Sequence, residues 1–132
     1  MKSLQNIFDE VITHLVRQGK RATAGGHCRY HAEDGLKCAI GVLIPDEEYD
    51  LAWESCPVEE IHWMLGRPES LWGVHVSHLR FLTDLQDLHD RPHHWKEGGL
   101  SVAGKRKVQR IAEIWGLKVP TSLEHQDKPS PQ

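Results

Sequence analysis

An α+β fold, mostly α, is what the sequence predicts: a single domain with a central β-hairpin packed against four to five helices. Three observations lead there. Near both ends of the chain, apolar residues recur at the i, i+3, i+4 spacing that lays them along one helical face. Between those segments, residues 28–44 switch to strand-like alternation about a Glu33-Asp34-Gly35 turn. A length of 132 residues, 39% hydrophobic and 27% charged, suits one modest core. Residues 1–120 are assigned to the globular domain, and 121–132, polar with Pro129 and Pro131, to a flexible tail.

Leu4, Ile7, Phe8, Val11, Ile12, Leu15 and Val16 define a first helix over Leu4 to Gln18, with Ser3 as its cap and Gly19 at its left-handed exit. Lys20 to Gly26, with a Gly25-Gly26 pair, reads as a loop. In the hairpin that follows, Ala32 faces Leu36, Tyr30 faces Cys38 and Cys28 faces Ile40, which gathers apolar groups on one face. Arg29, His31 and Lys37 share the other. Pro45 ends the strand and introduces a helix from Asp46 to about Trp53, whose Asp46, Glu47 and Glu48 suit the positive end of the helix dipole. A further helix is expected from Pro57 or Val58 to Leu65, then a loop from Gly66 to Gly73. Trp53, Trp63 and Trp72 cluster here as core, interface, or a wall for a flat ligand. Ser77 is expected to cap a helix running to about His89, with Leu79, Leu82 and Leu85 inward. Ser101 caps the last one, whose face is Val108, Ile111, Ala112 and Trp115 and whose exit is Gly116.

Composition limits function. A net charge of −3 and a pI near 6.3 lack the basic surplus that sequence-independent nucleic-acid binding needs. No apolar run approaches the ~18 residues of a membrane span, and residues 1–19 carry acids and amides where a signal peptide has its apolar stretch. A cytoplasmic location and free thiols at all three cysteines follow as expectations. Zinc held by His27, Cys28, His31 and Cys38 is disfavoured, since no paired CxxC knuckle is present and the hairpin register points the thiols away from His31. No cofactor motif is present. Neither is a G-x-S-x-G elbow nor an H-E-x-x-H motif.

Cys28-x-Tyr30, then Gly35-x-Lys37-Cys38-Ala39-Ile40-Gly41-x-Leu43-Ile44-Pro45-Asp46-x-x-Tyr49, then Leu85-Gln86-x-Leu88-His89-Asp90 with Trp95, together resemble a family of small uncharacterised proteins encoded by tailed bacteriophages and prophages. The likeness covers most of residues 4–117. It implies a phage accessory protein working in the cytoplasm of the infected bacterial host. By analogy of size, some small phage proteins oppose host defence by enclosing cyclic or ADP-ribose-type nucleotides.

Three functions are weighed on the residues. The first is a non-enzymatic binder that sequesters a small anionic nucleotide-type ligand. Arg29, Lys37 and Arg21 would meet phosphate, Tyr30, Tyr49 or a tryptophan would stack on the base, and Asp46 or Gln86 would read polar edges. His89, Asp90 and Trp95 complete the expected site. The second is a protein-interaction module docking on a host protein, through exposed tryptophans and the basic Lys105, Arg106, Lys107 and Arg110; homo-oligomers also remain open. The third is a nucleotide hydrolase using Glu54, His89 and Asp90.

Overall fold

A computed structural model of the protein describes residues 3–24, 27–32, 35–54, 56–58, 60, 78–121 and 123. The first helix, α1 (Leu4–Gln18), has the expected bounds and caps. Ser3 Oγ accepts the Asn6 N–H at 3.1 Å, and Gly19 leaves the helix at φ 73°. Its periodic face, Ile7, Phe8, Val11, Ile12 and Leu15, is buried.

The ribbon after α1 keeps the expected register but is shorter than the alternation implies. His31 lies opposite Lys37, Ala32 N–H reaches the Leu36 carbonyl at 2.8 Å, and Cys38 N–H reaches the Tyr30 carbonyl at 3.3 Å. Pairing stops there. Cys28 instead belongs to a second small ribbon, in which β1 (Thr23–Ala24) runs antiparallel to β2 (His27–Cys28) with Thr23 opposite Cys28. Ile40 cannot reach Cys28 because the chain turns in a 3₁₀ turn at Gly41–Leu43. A Cβ built on Gly41 would sit 1.9 Å from the Tyr30 carbonyl oxygen, so the turn closes onto the ribbon only with glycine there.

The helix expected from Asp46 to Trp53 is replaced by two 3₁₀ turns, Asp46–Glu48 and Leu51–Trp53, separated by extended Tyr49 and Asp50. Asp46 is drawn to Lys37 Nζ at 3.0 Å, and Asp50 starts the second turn by accepting the Ala52 N–H at 2.9 Å. Of the helix expected at 57–65 and the loop at 66–73, everything past Glu60 lies outside the described residues, as do Trp63, Trp72 and the Ser77 cap. Trp53 is buried.

The later helices are α2 (Leu79–Asp90) and α3 (Val102–Trp115), so three α-helices stand among the described residues, fewer than the four to five expected. Between them, β3 (Trp95–Lys96) pairs antiparallel with β4 (Gly99–Leu100), a hairpin not among the elements expected from the sequence. Ser101 Oγ accepts the Gly104 N–H at 3.1 Å, and past Gly116 (φ 68°) the Leu117 N–H returns to the Ala112 carbonyl at 2.8 Å.

The core lies between α1, α2, α3 and the ribbon. Phe8 meets Phe81 with ring centroids 6.4 Å apart, and Phe81 meets the edge of Trp115 at 5.5 Å. Cys38, Ala39, Ile40, Leu43 and Ile44 close it from the ribbon side. Gln5 joins α1 to the chain beyond α3 by bonding both the N–H and the carbonyl of Lys118, each at 2.9 Å. Leu123 is also buried in this core, so the globular unit reaches past the expected boundary at 120. Residues 124–132 lie outside the described residues. No described helix is long and apolar enough to cross a membrane.

Two predictions follow from this packing. Gly41→Ala should cost about 3 kcal/mol of folding stability in urea denaturation, because the clash is with backbone that has no room to yield. The second concerns His14 and His94, where burial pulls the imidazole pKa below its usual 6.5 against the raising effect of hydrogen bonds to the Lys37 and Leu88 carbonyls. Below 6.5 the unfolded chain takes protons that these folded imidazoles refuse, so stability present above that pH is lost as it falls toward the folded values. The urea midpoint should drop between pH 7.5 and pH 5.5, and less steeply in a His14→Gln, His94→Asn double variant.

Candidate functional site

The short ribbons leave many backbone groups without a ladder partner, and side chains from elsewhere complete them. Gln18 Oε1 accepts the Lys37 N–H at 2.8 Å, while its Nε2 donates to the Lys37 carbonyl at 2.9 Å. The Glu54 carboxylate accepts the N–H groups of Tyr30 at 2.9 Å and His31 at 3.2 Å, together with the Tyr49 hydroxyl. On the other flank, Gln86 Oε1 accepts the Ile40 N–H at 3.3 Å. His89, with no exposed surface, accepts the Ala22 N–H on Nε2 at 2.9 Å. Its Nδ1 therefore carries the proton and donates to Asp90 Oδ1 at 2.8 Å.

Around this flank lies a cavity of about 460 Å³. One wall is a polar stripe of α2, made of Thr83, Gln86, Asp87 and Asp90. The facing wall is Cys28, Tyr30, Cys56, Pro57 and Val58. The stripe repeats at i, i+3, i+4, i+7 beside the buried face of Phe81, Leu82, Leu85 and Leu88, so one helix serves core and cavity at once.

The expected site residues divide between two places. Tyr30, Gln86 and Asp90 line the cavity, His89 stands directly behind Asp90, and Trp95 supports that end by donating from Nε1 to the His89 carbonyl at 2.8 Å. Lys37, Asp46 and Tyr49 gather on the opposite face of the ribbon. There Lys37 Nζ pairs with Asp46 at 3.0 Å, and the His31 ring stacks on Tyr49 at 4.4 Å. Arg29 is half-buried and acts electrostatically on Tyr49. The described lining of the cavity therefore contains neither Arg29 nor Lys37, and the expected hollow shared by cations and a ring is not formed there. Strand alternation is the cause, since it sends Lys37 away from the face of Tyr30 and Cys38.

The chemistry of these groups is largely committed. Lys37, by its hydrogen bond and charge, holds the exposed Asp46 carboxyl below the usual carboxylate range. Burial raises the pKa of Asp87, but its bonds to Arg91 at 2.8 Å and Lys107 at 3.4 Å outweigh that and hold it low. Burial together with the nearby Asp90 pushes the Cys28 thiol up to about 11, although Arg21 donates to its sulfur at 3.7 Å. Burial likewise raises the Tyr30 hydroxyl, which donates to the Cys56 carbonyl.

Ligand atoms of Cys28, His89 and Asp90 lie within 4.8 Å of one another. Both nitrogens of His89 are already bonded, however, and the thiol resists ionisation, so the trio suits a hydrogen-bonded support better than a metal cage. Cys38 is fully buried, accepts the Gly41 N–H at 3.2 Å, and has its pKa raised by burial to about 12. It does not join Cys28 in the set once considered for zinc. Glu54, expected beside His89 and Asp90 in a hydrolytic site, brackets the ribbon instead.

The helical spacing of Thr83 and Asp87 with Gln86 and Asp90 is a signal in the sequence, whereas only Gln86 and Asp90 are among the expected site residues. Cys56, Pro57 and Val58 carry no sequence signal for a place in the site. His89→Leu should strand the Ala22 N–H inside the protein and remove a donor from Asp90, costing about 2 kcal/mol in urea denaturation. Hydrogen exchange at the Ala22 amide should accelerate with it; unchanged stability and exchange would contradict the role given to His89.

No family model, no curated protein and no solved structure matches this chain.

Proposed function

We propose that the protein binds and sequesters a small nucleotide-type ligand without transforming it, as a phage-encoded accessory in the cytoplasm of the infected host. The ligand's flat base would enter the cavity between the α2 stripe and the wall of Tyr30, Pro57 and Val58. The observation that carries this reading is the cavity itself, about 460 Å³ with hydrogen-bonding groups along one wall. Its titratable groups support binding over catalysis. His89 has both nitrogens engaged, and the thiol of Cys28 and the hydroxyl of Tyr30 are held protonated. Two carboxylates and no lysine or arginine stand in the described lining, so the anionic part of such a ligand would remain outside it.

Docking on a host protein has support in the exposure of Leu51, Val102 and Ile114. The basic stretch of α3 adds less than its sequence suggests, because Lys107 is paired with Asp87.

Protein purified from infected cells should release an unaltered small molecule on denaturation, seen by mass spectrometry. Thr83→Trp, which fills the cavity from α2, should abolish that recovery while leaving thermal stability within a few degrees of wild type. Recovery of a cleaved product would mean catalysis. Equal recovery from the Thr83→Trp protein would put the ligand elsewhere.

A further inference from the structure

The geometry points to a flat ring bearing an N–H donor edge, an amino-heterocycle or aryl amidine, as the group this cavity receives, with Asp90 as its acceptor. The inference rests on the cavity being a ligand site and names what the site recognises. Asp90 is held in orientation by neighbours that are themselves held. Ala22 N–H occupies His89 Nε2 at 2.9 Å, which leaves the Nδ1 proton aimed at Asp90 Oδ1 at 2.8 Å. Gln86 Nε2 donates to that same oxygen at 3.0 Å, and Gln86 is itself held by the Ile40 N–H. Two donors on Oδ1 fix the plane of the carboxylate. The Cys28 thiol also stands in hydrogen-bonding contact with this carboxylate, and the Asp90 side chain nevertheless retains 39% of its exposure at the cavity.

The neighbouring charges leave this acceptor its demand for a donor. Arg21 lies close by but spends its guanidinium on the main-chain carbonyl of Asp90, at 3.1 Å, and on the sulfur of Cys28. Arg91 and Lys107 pair with Asp87, whereas among the described residues no lysine or arginine forms an ion pair with the Asp90 carboxylate. A carboxylate held in place in this way favours an N–H donor over phosphate or another carboxylate, because the bond from N–H is charge-assisted. Preorientation matters because the acceptor need not be reorganised when a ligand arrives. The facing wall offers apolar contact to a ring through Tyr30, Pro57 and Val58, beside the thiols of Cys28 and Cys56.

Benzamidine and benzoate test this with one ring and opposite edges, by isothermal titration of the full chain. Benzamidine should bind at least about tenfold tighter than benzoate, and Thr83→Trp should remove its binding. Asp90→Asn keeps an oxygen for the His89 Nδ1 proton and should weaken benzamidine by about tenfold with little change in thermal midpoint. Benzoate binding as tightly as benzamidine, with Thr83→Trp blocking both, would overturn the donor-edge inference while leaving the cavity as a ligand site. Benzamidine binding that survives Thr83→Trp, or the absence of any binding by wild type, would also overturn the inference. Whether the cavity holds another ligand would then rest on the molecule recovered from infected cells. If Asp90→Asn fails to fold, the selectivity of the wild-type protein between the two probes decides alone.

Discussion

Backbone polar groups buried without a β-ladder are the constraint on which this structure depends. Residues 20–24, 27–32 and 35–44 enter the core as two very short ribbons and a 3₁₀ turn, and each unpaired N–H left without a partner would cost about 1 to 3 kcal/mol. Gln18, Glu54, Gln86 and His89 each reach in to supply a partner. These polar side chains therefore act as the missing strand. Much of the polar patterning that invites a functional reading is explained by that structural duty.

The same constraint shapes the cavity. Gln86 and His89 come from α2 because they must reach Ile40 and Ala22, and in doing so they anchor the helix against the ribbon at two points. Asp90 is then oriented by groups that are themselves immobilised, a support arrangement of the kind that binding sites require. Neither His89 nor Gln86 needs to touch a ligand to matter for one.

Local patterns with strong periodicity were legible in the sequence. The bounds of α1, the caps at Ser3 and Ser101, the exits at Gly19 and Gly116, and the pairing of His31 with Lys37 all follow from spacing and turn chemistry. Failures arose where distant contacts override local ones. Gly41 reads as an ordinary strand residue until the Tyr30 carbonyl is placed against it, and the acidic run at 46–50 resembles a helix start until Asp46 meets Lys37. Within the candidate site, Tyr30, Gln86, His89 and Asp90 were legible as a group of interest, but their division of labour was not. Whether a polar side chain serves a backbone amide or a ligand depends on which chain segment lies opposite, and periodicity carries no record of that.

The two-way bond between Gln5 and Lys118 carries a topological consequence. It makes the fold a nearly closed circuit in which the first helix begins where the path out of the last one passes. Covalent closure near that seam, with new ends opened in a surface turn such as Glu97-Gly98, would rearrange the order of synthesis without displacing a helix. In such a permutant the ribosome would deliver the three described helices in a different order.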